Sequence, residues 1–433
     1  MTGYEIGIVG IVILLLLMIL RVPIAFSMLI SGLIGLAWVL NSKAAFAQAV
    51  FNIWSTFTSY DLSVVPMFIL MGSIAFYADI SGQLFNTTHK FFGRQPGGLA
   101  LATIFASAGF AAVSGSSNAS AAAMAKVTLP EMKKFKYNDS LATGAVAAGG
   151  TLGILIPPSA LFIIYGVMVQ ASIGELFLAG ILPGVILTSL YALVVYILCW
   201  QKPNLGPPGE SCSWKEKFAS LSGLIDMLLL FGLVMGGLFV GWFTPTQAGG
   251  VGAGGAIIIG LCRRSLTLEG LKNALLETVQ ISVMLYFIVA GALVFGRFMT
   301  ATRFSFELVT WIGGLSLPPA GVMAMLIVIY LIGGCFMDSL ALVTLTIPIF
   351  FPIVSALAFD PIWFGVIIVL VAEMGVITPP VGVNVYVIKG IVPEVPLETI
   401  FKGVLPFTLA VLVCIALVLI FPQIALFLPG LFR

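Results

Sequence analysis

A single carboxylate stands in a long apolar part of the sequence, where Asp338 is the only charged residue between Glu307 and Asp360. A carboxylate near the middle of a membrane costs roughly 2.5–3.5 kcal/mol on insertion scales, so it normally faces a polar interior on an ion or substrate pathway. Asp338 is therefore the strongest single candidate for binding an ion or a substrate. The alternative is a packing carboxylate that neighbouring hydroxyl groups hold. Glu373 is a second candidate, although it could lie nearer to a helix end.

Four segments rich in glycine, serine and proline interrupt continuous apolar sequence: Ser114–Ser120, Gly149–Ser159, Gly333–Ser339 and Gly375–Asn384. Two of them contain a double proline, which removes two N–H donors and turns the preceding residue away from helical geometry. The carbonyl groups one turn earlier then lose their partners, and at membrane depth they are tolerated only inside protein or beside a water-filled cavity. A hard cation such as Na⁺ satisfies them, because it prefers oxygen ligands.

The same segments carry hydroxyl and amide groups that could bind a carboxylate or a polyhydroxy ligand. The half-helices that the breaks create could also point a positive N-terminus at an anionic substrate group. Alternatively, each break could be a kink or a packing seam, and the polar groups could join helices to one another. The side chains concerned are Ser114, Ser116, Ser117, Asn118, Ser120, Ser159, Ser339, Thr344 and Asn384.

Membrane helices are the elements that would position these residues. Of the 433 residues, 60% are hydrophobic and 8% are charged, whereas soluble domains carry about 25% charged residues. Several charge-free runs exceed the roughly 20 residues of one transmembrane helix, and some could form a hairpin that enters and leaves on one side. Apolarity is continuous rather than alternating, which argues against a barrel. The sequence therefore predicts an all-α polytopic membrane protein.

The composition also argues against other classes of protein. The net charge is +2 and the basic residues are scattered, so we expect no nucleic acid partner. The single histidine, His89, and five cysteines without a CxxC spacing weaken any metalloenzyme. An intramembrane enzyme would need a nucleophile with its base, and we find no such pair in the sequence. We therefore expect a protein that is not an enzyme.

Short motifs recur in the two halves of the chain. Gly153-x-x-Ile-Pro-Pro158 recurs as Gly375-x-x-Thr-Pro-Pro380 after 222 residues, and Gly180-Ile-Leu-Pro183 recurs as Gly403-Val-Leu-Pro406 after 223 residues. Internal duplication is a common plan of secondary transporters, whose sites lie near the membrane midplane between the repeats. The motifs predict two repeats, which we expect to be inverted.

Less apolar segments predict the parts outside the membrane core. Residues 42–60 carry Phe46, Val50 and Trp54 at helical spacing, which indicates an amphipathic helix at the interface, and 267–280 is similar. The polar, proline- and glycine-rich stretch 201–217 is interpreted as the connection between the halves. The lysines from 126 to 136 are interpreted as part of a solvated connection.

Taken together, these motifs resemble the large membrane subunit of the TRAP (tripartite ATP-independent periplasmic) transporters, the DctM-like proteins. The resemblance covers nearly the whole chain, from RVPIAF at 21–26 to FLP at 427–429. The motifs that carry it are GSS at 115–117, GTLGILIPPS at 150–159, GxxxD at 334–338 and GVITPPVGVN at 375–384.

The resemblance implies a fold of about 10–12 transmembrane helices plus two re-entrant hairpins, arranged as two inverted repeats of an elevator-type ion transporter-like fold. The expected regions are N-terminal scaffold helices with an interfacial helix (1–60), a first repeat (61–200), a linker with scaffold helices (201–282) and a second repeat (283–433). The hairpins are expected near 98–125 and 321–357, and the broken helices near 139–171 and 360–390.

The resemblance also implies two Na⁺ sites, built largely from backbone carbonyl groups. Carried onto matching positions, the first site would use Ser114, Ser117, Gly153, Ile156 and Pro158. The second would use Gly334, Gly375, Thr378 and Val381, with Asp338 close by. The residues expected to bind the substrate are Ser116, Asn118, Ser159, Asp338, Ser339 and Asn384.

By the same resemblance, the expected function is Na⁺-coupled uptake of a small organic acid, such as a C4-dicarboxylate or sialic acid, by an elevator mechanism. A periplasmic binding protein would deliver the substrate. A small four-helix membrane subunit, expected as a separate chain, would complete the scaffold in the bacterial inner (cytoplasmic) membrane. The alternatives are H⁺ coupling through Asp338 or Glu373, and an uncoupled, channel-like membrane subunit.

Overall fold

The structure is a computed structural model and describes residues 2–209, 212–314 and 317–432. Every regular element in these residues is a helix, and none is a strand. The predicted all-α class is therefore confirmed. The connection predicted at 201–217 includes residues 210 and 211, which lie outside the described residues.

Three helices precede the first repeat. The first begins with a capping box, in which the Thr2 side chain accepts from the Glu5 backbone N–H and the Glu5 carboxylate accepts from the Thr2 N–H. Pro23 stands immediately before the second helix, where a missing N–H has no consequence. The helices are α1 (Gly3–Ile19), α2 (Ile24–Val39) and α3 (Ser42–Phe57).

Helix α3 turns small residues inward and large apolar residues outward. Ala45 and Ala49 are buried, whereas Phe46 and Trp54 are 60% and 69% exposed. This is the face that an interfacial helix turns towards lipid. The chain then bends by 51° into the next helical segment, Asp61–Tyr77.

The first repeat contains two helices, a hairpin, a broken helix and a final long helix. A short 3-10 turn at Asp61–Ser63 leads into it. The helices are α4 (Val64–Tyr77), α5 (Ile80–Phe92), α6 (Gly98–Ser114), α7 (Ser117–Lys134), α8 (Asp139–Leu155), α9 (Ala160–Val169) and α10 (Ile173–Gln201).

Four shorter helices join the two repeats. A π-helical turn at Gly232–Gly236 connects two of them into one continuous apolar segment. The helices are α11 (Trp214–Ser220), α12 (Ser222–Phe231), α13 (Gly237–Phe239) and α14 (Pro245–Cys262).

The second repeat follows the same order of elements. It ends with an additional short helix. The helices are α15 (Leu268–Ala301), α16 (Phe304–Gly314), α17 (Pro319–Gly334), α18 (Ser339–Ala356), α19 (Pro361–Gly375), α20 (Val383–Ile391), α21 (Leu397–Ile420) and α22 (Gln423–Leu431).

The two halves match element by element from the hairpins onward. The first hairpin (α6 and α7) corresponds to the second hairpin (α17 and α18), and the broken helix α8–α9 corresponds to α19–α20. The first residues of matching helices, up to α10 and α21, lie 221 to 224 residues apart. The prediction of two repeats, each with a helical hairpin and a broken helix, is confirmed.

Within the described residues, six helices are long and apolar enough to cross a membrane, or up to seven if a bent pair is one span. This is fewer than the ten to twelve expected, because several apolar helices are too short to be counted by length. Helices α1 and α2 have only 17 and 16 residues. The hairpin helices α6 and α17 and the half-helix α19 are also in this shorter class.

Two boundaries differ from those drawn on the sequence. Helix α7 continues to Lys134, beyond the expected hairpin end near 125, and its C-terminal turn carries Lys133 and Lys134 as suits the negative end of a helix. The amphipathic segment 267–280 is not a separate helix but the first part of the 34-residue α15. No helix-breaking residue follows it, so the helix continues.

Close helix contacts define two groups of helices. In the outer group (α1 to α4, α14 and α15), a Cβ built on Gly291 of α15 would lie 2.5 Å from the Ala25 carbonyl oxygen of α2. In the central group (α6 to α10 and α17 to α21), Gly144 of α8 and Gly403 of α21 bring the two repeats into backbone contact. Small residues permit such approach in membrane helices.

Candidate ion and substrate site

The four predicted breaks meet in the middle of the central group. The turn of each hairpin packs against the break in the long helix of its own repeat, since α6 and α7 contact α8 and α17 and α18 contact α19. Each helix that ends there leaves carbonyl groups without intrahelical partners, and these ends carry partial negative charge. Helices α7, α9, α18 and α20 begin at the same two places, so the arrangement gathers carbonyl oxygens of helix C-termini there together with N–H groups of helix N-termini.

At the first place, the turn of the first hairpin lies on the α8 break. A Cβ built on Gly153 would lie 2.5 Å from the carbonyl oxygen of Ser116, so only glycine allows this approach. The Gly115 carbonyl accepts from the Ala160 N–H at 3.3 Å. A Cβ on Gly115 would lie 2.9 Å from the Pro158 carbonyl oxygen, and Gly115 has a φ of +63° that favours glycine.

The predicted ligands of the first cation site are brought near one another by these contacts. The Ser114 hydroxyl forms a 2.5 Å hydrogen bond with the Ser120 hydroxyl. Ile156 ends α8 with extended backbone, which turns its carbonyl out of the helix. Ser117 is buried, and its hydroxyl accepts from the Asn384 amide at 2.9 Å.

At the second place, the backbones of Gly334 and Gly375 touch. A Cβ built on Gly375 would lie 2.5 Å from the Cα of Gly334. The Val381 N–H donates to the Cys335 carbonyl at 3.2 Å, which fastens the α19 break to the hairpin turn. The Thr378 hydroxyl donates to the Met374 carbonyl at 2.6 Å, so its oxygen lone pairs are still available to a ligand.

The donor sets at both places fit a hard cation. They consist of carbonyl and hydroxyl oxygens, which hard cations prefer. The close glycine contacts leave room for backbone approach and exclude a side chain. No group of three or more His, Cys, Asp or Glu residues that could hold a metal ion occurs in the described part of the chain.

Hydrogen bonds between the repeats join the two places. The Asn118 amide donates to the Asp338 carboxylate at 3.3 Å, across 220 positions in sequence. The Asn384 amide donates to Ser117 and, at 3.4 Å, to the Ala147 carbonyl. Asp338 also caps α18, since its carboxylate accepts from the Leu340 N–H at 3.1 Å.

Glu373 lies beside this junction, and its carboxylate is inside the protein. It is 1% exposed and accepts from the Ser339 hydroxyl at 2.7 Å. The sequence suggested that Glu373 could lie near a helix end. It does, but that end is the break at the centre of the protein, because α19 stops at Gly375.

Several oxygens at the junction are buried and without a hydrogen-bond partner among the described residues. They belong to Asn118 (Oδ1), Glu373 (Oε2) and Asn384 (Oδ1). Buried polar groups are normally paired, so three unpaired acceptors close to one junction indicate that a cation or a hydrogen-bond donor completes it.

Two serines predicted to bind substrate act as helix caps. Ser159 is fully buried and its hydroxyl accepts from the Phe162 N–H at 3.3 Å. Ser116 caps α7 in the same way, accepting from the Ala119 N–H at 3.4 Å, but it also lines a cavity. Ser116 is therefore positioned to contact a ligand, whereas Ser159 is occupied in starting α9.

A cavity of about 180 Å³ lies between the first hairpin and helices α4 and α15. The hairpin turn residues Ser114 and Ser116 lie on its wall, and so do the charged residues Lys126 and Glu277. Lys126, interpreted as part of a solvated connection, is exposed, but it belongs to α7 rather than to a connection and also lines the cavity. In the sequence, nothing distinguishes Lys126 from the nearby Lys133 and Lys134.

Comparison with known proteins gives matches over nearly the whole chain. A family model described as "Tripartite ATP-independent periplasmic transporter, DctM component" matches residues 11–424. The chain is 34% identical to the C4-dicarboxylate TRAP transporter large permease protein DctM of Pseudomonas aeruginosa, with 92% of this chain and 93% of that protein covered. It is 33% identical to the sialic acid TRAP transporter large permease protein SiaM of Vibrio cholerae, with 95% of each covered.

Two further matches bear on length and fold. The chain is 34% identical to the isethionate TRAP transporter permease protein DctMQ of Oleidesulfovibrio alaskensis, and covers 65% of that longer protein. Among solved structures, the YdaH transporter of Alcanivorax borkumensis matches with a TM-score of 0.55 at 14% identity, with 88% of each chain covered. At that identity the likeness concerns the fold alone.

Proposed function

This chain belongs to the DctM-component family of the tripartite ATP-independent periplasmic transporters, and we propose that it carries out cation-coupled uptake of a small organic acid across the bacterial inner membrane. The family makes it a multi-pass transport permease and not an enzyme. The proposal extends this to the coupling ion, the type of substrate and the mechanism.

In each repeat a hairpin turn packs against a helix break, which brings carbonyl oxygens from two helix ends together, and this observation carries the proposal. The backbone contact of Gly334 with Gly375, and of Gly153 with the Ser116 carbonyl, supports two cation sites of this kind. We assign Na⁺ to them as the coupling ion, because neutral oxygen donors suit a hard monovalent cation and need no deprotonation.

In the proposed mechanism, the central group moves as one body against the outer group. The cation sites hold each hairpin turn on its helix break, and the bonds of Asn118 to Asp338 and of Asn384 to Ser117 tie the two repeats together. Cation binding would therefore order both hairpin turns at once. Ordered turns would present Ser116 and Asp338 to the substrate.

The proposed substrates and partners follow from the relatives. Their printed names include C4-dicarboxylate, sialic acid and isethionate transporters, which all move organic acids. We propose that a periplasmic binding protein delivers the acid and that a small membrane subunit lies beside the outer group. The exposed apolar side chains of α1 and α3, such as Leu16 and Trp54, offer that subunit a surface.

Uptake into proteoliposomes tests the proposal. The purified large and small subunits are reconstituted, and the loaded binding protein is added outside with radiolabelled succinate, sialic acid and phenylacetate as alternative probes. An inward Na⁺ gradient should drive accumulation, and K⁺ in place of Na⁺ should abolish it. Accumulation that follows a pH gradient instead would support H⁺ coupling, and flux that never exceeds equilibrium would support a channel-like subunit.

A further inference from the structure

One face of α7 shapes the cavity beside the first hairpin. Ala119, Ala122, Ala123 and Lys126 all line the cavity, and they follow one another at the spacing of a single helix face. Because the three alanine side chains are small, they leave the space that the cavity occupies. Lys126, which is exposed, stands at the end of this row away from the hairpin turn.

The ammonium group of Lys126 is not neutralised by a direct ion pair in the described part of the chain. Its Nζ lies 5.5 Å from the centre of the Phe76 ring. The ion pairs on the same helix involve Lys133 and Lys134 instead, with Glu394 and Glu131. An ammonium group above an aromatic ring keeps N–H donors that can still donate to a carboxylate. That charge-assisted hydrogen bond is stronger than the contact with the ring.

A carboxylate stands on the opposite wall. Glu277 of α15, Ser73 of α4 and Lys126 of α7 all line the cavity. No ion pair within 4.0 Å joins Lys126 and Glu277. The cavity therefore holds one separated positive and one separated negative charge, and a ligand with two carboxylates would place its second charge against Glu277.

Apart from the hydroxyl groups of Ser73 and Tyr77, the rest of the wall is apolar. Phe68 and Phe76 of α4, Phe110 of α6, and Ile281 and Leu285 of α15 face the cavity. Sites for small molecules typically combine such walls with a few polar groups that fix the orientation of the ligand. Apolar walls favour a hydrocarbon or aromatic body over a ligand with many hydroxyl groups, because each unpaired hydroxyl would lose its hydration.

We propose that this cavity binds an organic monocarboxylate with an apolar or aromatic body, that Lys126 binds its carboxylate, and that Glu277 disfavours dicarboxylates. The inference rests on the proposed function, since it names the class of acid that the same transporter moves. In this arrangement Lys126 binds the carboxylate of the ligand, and the apolar walls contact its hydrocarbon part. The serines of the hairpin turn contact the end of the ligand that lies nearest the first cation site.

Direct binding to the purified complex of the large and small subunits tests the inference without any ion gradient. The melting temperature is followed during titration with phenylacetate, with succinate and with the uncharged 2-phenylethanol, all in NaCl. Phenylacetate should raise the melting temperature at lower concentration than succinate, and 2-phenylethanol should have little effect. Lys126→Gln should weaken phenylacetate binding about tenfold or more, as expected for loss of a charge-assisted hydrogen bond, and Lys126→Arg should retain most of it.

Two further variants complete the test. Glu277→Gln should strengthen succinate binding, and Lys134→Gln, an exposed lysine on the same helix, should change neither titration. The inference is overturned if Lys126→Gln binds phenylacetate like the parent, if succinate binds better than phenylacetate, or if neither acid binds. The titration involves no transport. Absence of Na⁺-driven uptake would therefore overturn the proposed function without changing the result of the binding measurement.

Discussion

Asp338 combines a helix cap with a negative charge, and single substitutions can separate the two. Its carboxylate accepts from the Leu340 N–H and from the Asn118 amide. Asp338→Asn keeps the cap, because asparagine caps helices as well as aspartate, but it removes the charge. We expect the melting temperature to stay close to that of the parent while Na⁺-driven uptake falls about tenfold, a change of about 1.4 kcal/mol in the transport barrier.

Asp338→Ala is the matched variant that loses both properties. It should lower the free energy of unfolding by about 0.5–2 kcal/mol through loss of the cap. Thermal unfolding of the reconstituted protein and uptake into proteoliposomes measure the two effects. Parent-like uptake by Asp338→Asn would mean that the charge takes no part in transport.

Glu373 gives a second residue-scale prediction, which concerns stability. The Ser339 hydroxyl donates to its carboxylate inside the protein. Glu373→Gln keeps an acceptor at this position, whereas Glu373→Ala leaves the Ser339 hydroxyl without its acceptor, which costs about 1–3 kcal/mol. We therefore expect Glu373→Ala to unfold at a clearly lower temperature than Glu373→Gln.

The control for this comparison is Glu269→Ala, at an exposed position in the first turn of α15. Surface substitutions of this kind usually change stability by less than about 0.5 kcal/mol. Equal unfolding temperatures for Glu373→Ala and Glu373→Gln would contradict a structural role for the carboxylate. Uptake by Glu373→Gln that no longer responds to a pH gradient would instead identify it as a proton carrier.

Between elements, the contact of α17 with α19 depends on a pair of glycines. A Cβ on Gly375 would lie 2.5 Å from the Cα of Gly334 and 2.8 Å from its carbonyl oxygen. Gly375→Ala must push the second hairpin away from the helix break, and overpacking of this kind costs about 1–3 kcal/mol. We expect a lower melting temperature and a higher Na⁺ concentration for half-maximal uptake.

Gly390→Ala in the neighbouring α20 is the control, since nothing lies within 4 Å of a Cβ built there. Alanine in an exposed helix position should be neutral or slightly stabilising. If Gly375→Ala binds Na⁺ like the parent, the second cation site does not depend on this contact.

A surface ion pair links α7 with the loop between α20 and α21. Lys133 and Glu394 approach to 2.9 Å, and the hydrogen bond between them lowers the pKa of Glu394 and raises the pKa of Lys133. The contribution of Glu394 is present above its ordinary pKa and is lost as the pH falls through the lowered one. That of Lys133 is present below its ordinary pKa and is lost as the pH rises through the raised one.

Both groups therefore stay ionised across the neutral range. The difference in melting temperature between the parent and Glu394→Gln should be small and the same from about pH 6 to pH 9, because both ordinary pKa values lie outside that range. It should shrink only in acid, where Glu394 gains a proton, or in strong alkali, where Lys133 loses one. A difference that varies between these pH values would show that another titrating group senses the pair.

The helix breaks could be predicted from sequence because proline and glycine act locally. The double prolines at 157–158 and 379–380 stop α8 and α19 close to where the pattern indicates. What the sequence could not supply is the partner of each break. The bond of Asn118 to Asp338 joins residues 220 positions apart, and no local pattern records which hairpin turn faces which helix.

Lys126 illustrates the same limit for the cavity. A lysine shortly before a run of charged residues resembles the start of a solvent-exposed connection, and its depth depends on where the hairpin turns. Once α7 is known to begin at Ser117 and to run to Lys134, Lys126 falls on the alanine face that lines the cavity. The length of the helix, rather than its composition, decides the environment of the lysine.

For the whole molecule, an elevator mechanism requires the central group to slide past the outer group. A Cβ built on Gly296 of α15 would lie 3.1 Å from the Cβ of Pro348 of α18. This is a few tenths of an ångström below the Cβ separation of about 3.5–4.5 Å that a disulfide needs, so cysteines at these two positions should form one after a small local shift. In a variant without the native cysteines, oxidation should abolish uptake, and a reductant should restore it.

The matched control lies within the outer group. A Cβ on Gly249 of α14 would lie 2.8 Å from the Cβ of Met67 of α4, so Gly249→Cys with Met67→Cys should cross-link as readily. That cross-link joins helices that do not move relative to each other in the proposed mechanism, and uptake should survive oxidation. Equal inhibition by both cross-links would exclude sliding between these two groups.

The bond from Asn384 to Ser117 has a consequence for how the protein is made. The two residues are 267 positions apart, and each stands in a different repeat. At roughly 5–20 residues per second, a ribosome takes on the order of 10 to 50 seconds to reach Asn384 after it has passed Ser117. During that time the first hairpin is already synthesised, but its polar turn lacks the amide that later satisfies it. The centre of this transporter can therefore assemble only after synthesis has passed Asn384, and any factor that protects nascent membrane segments is needed most in that interval.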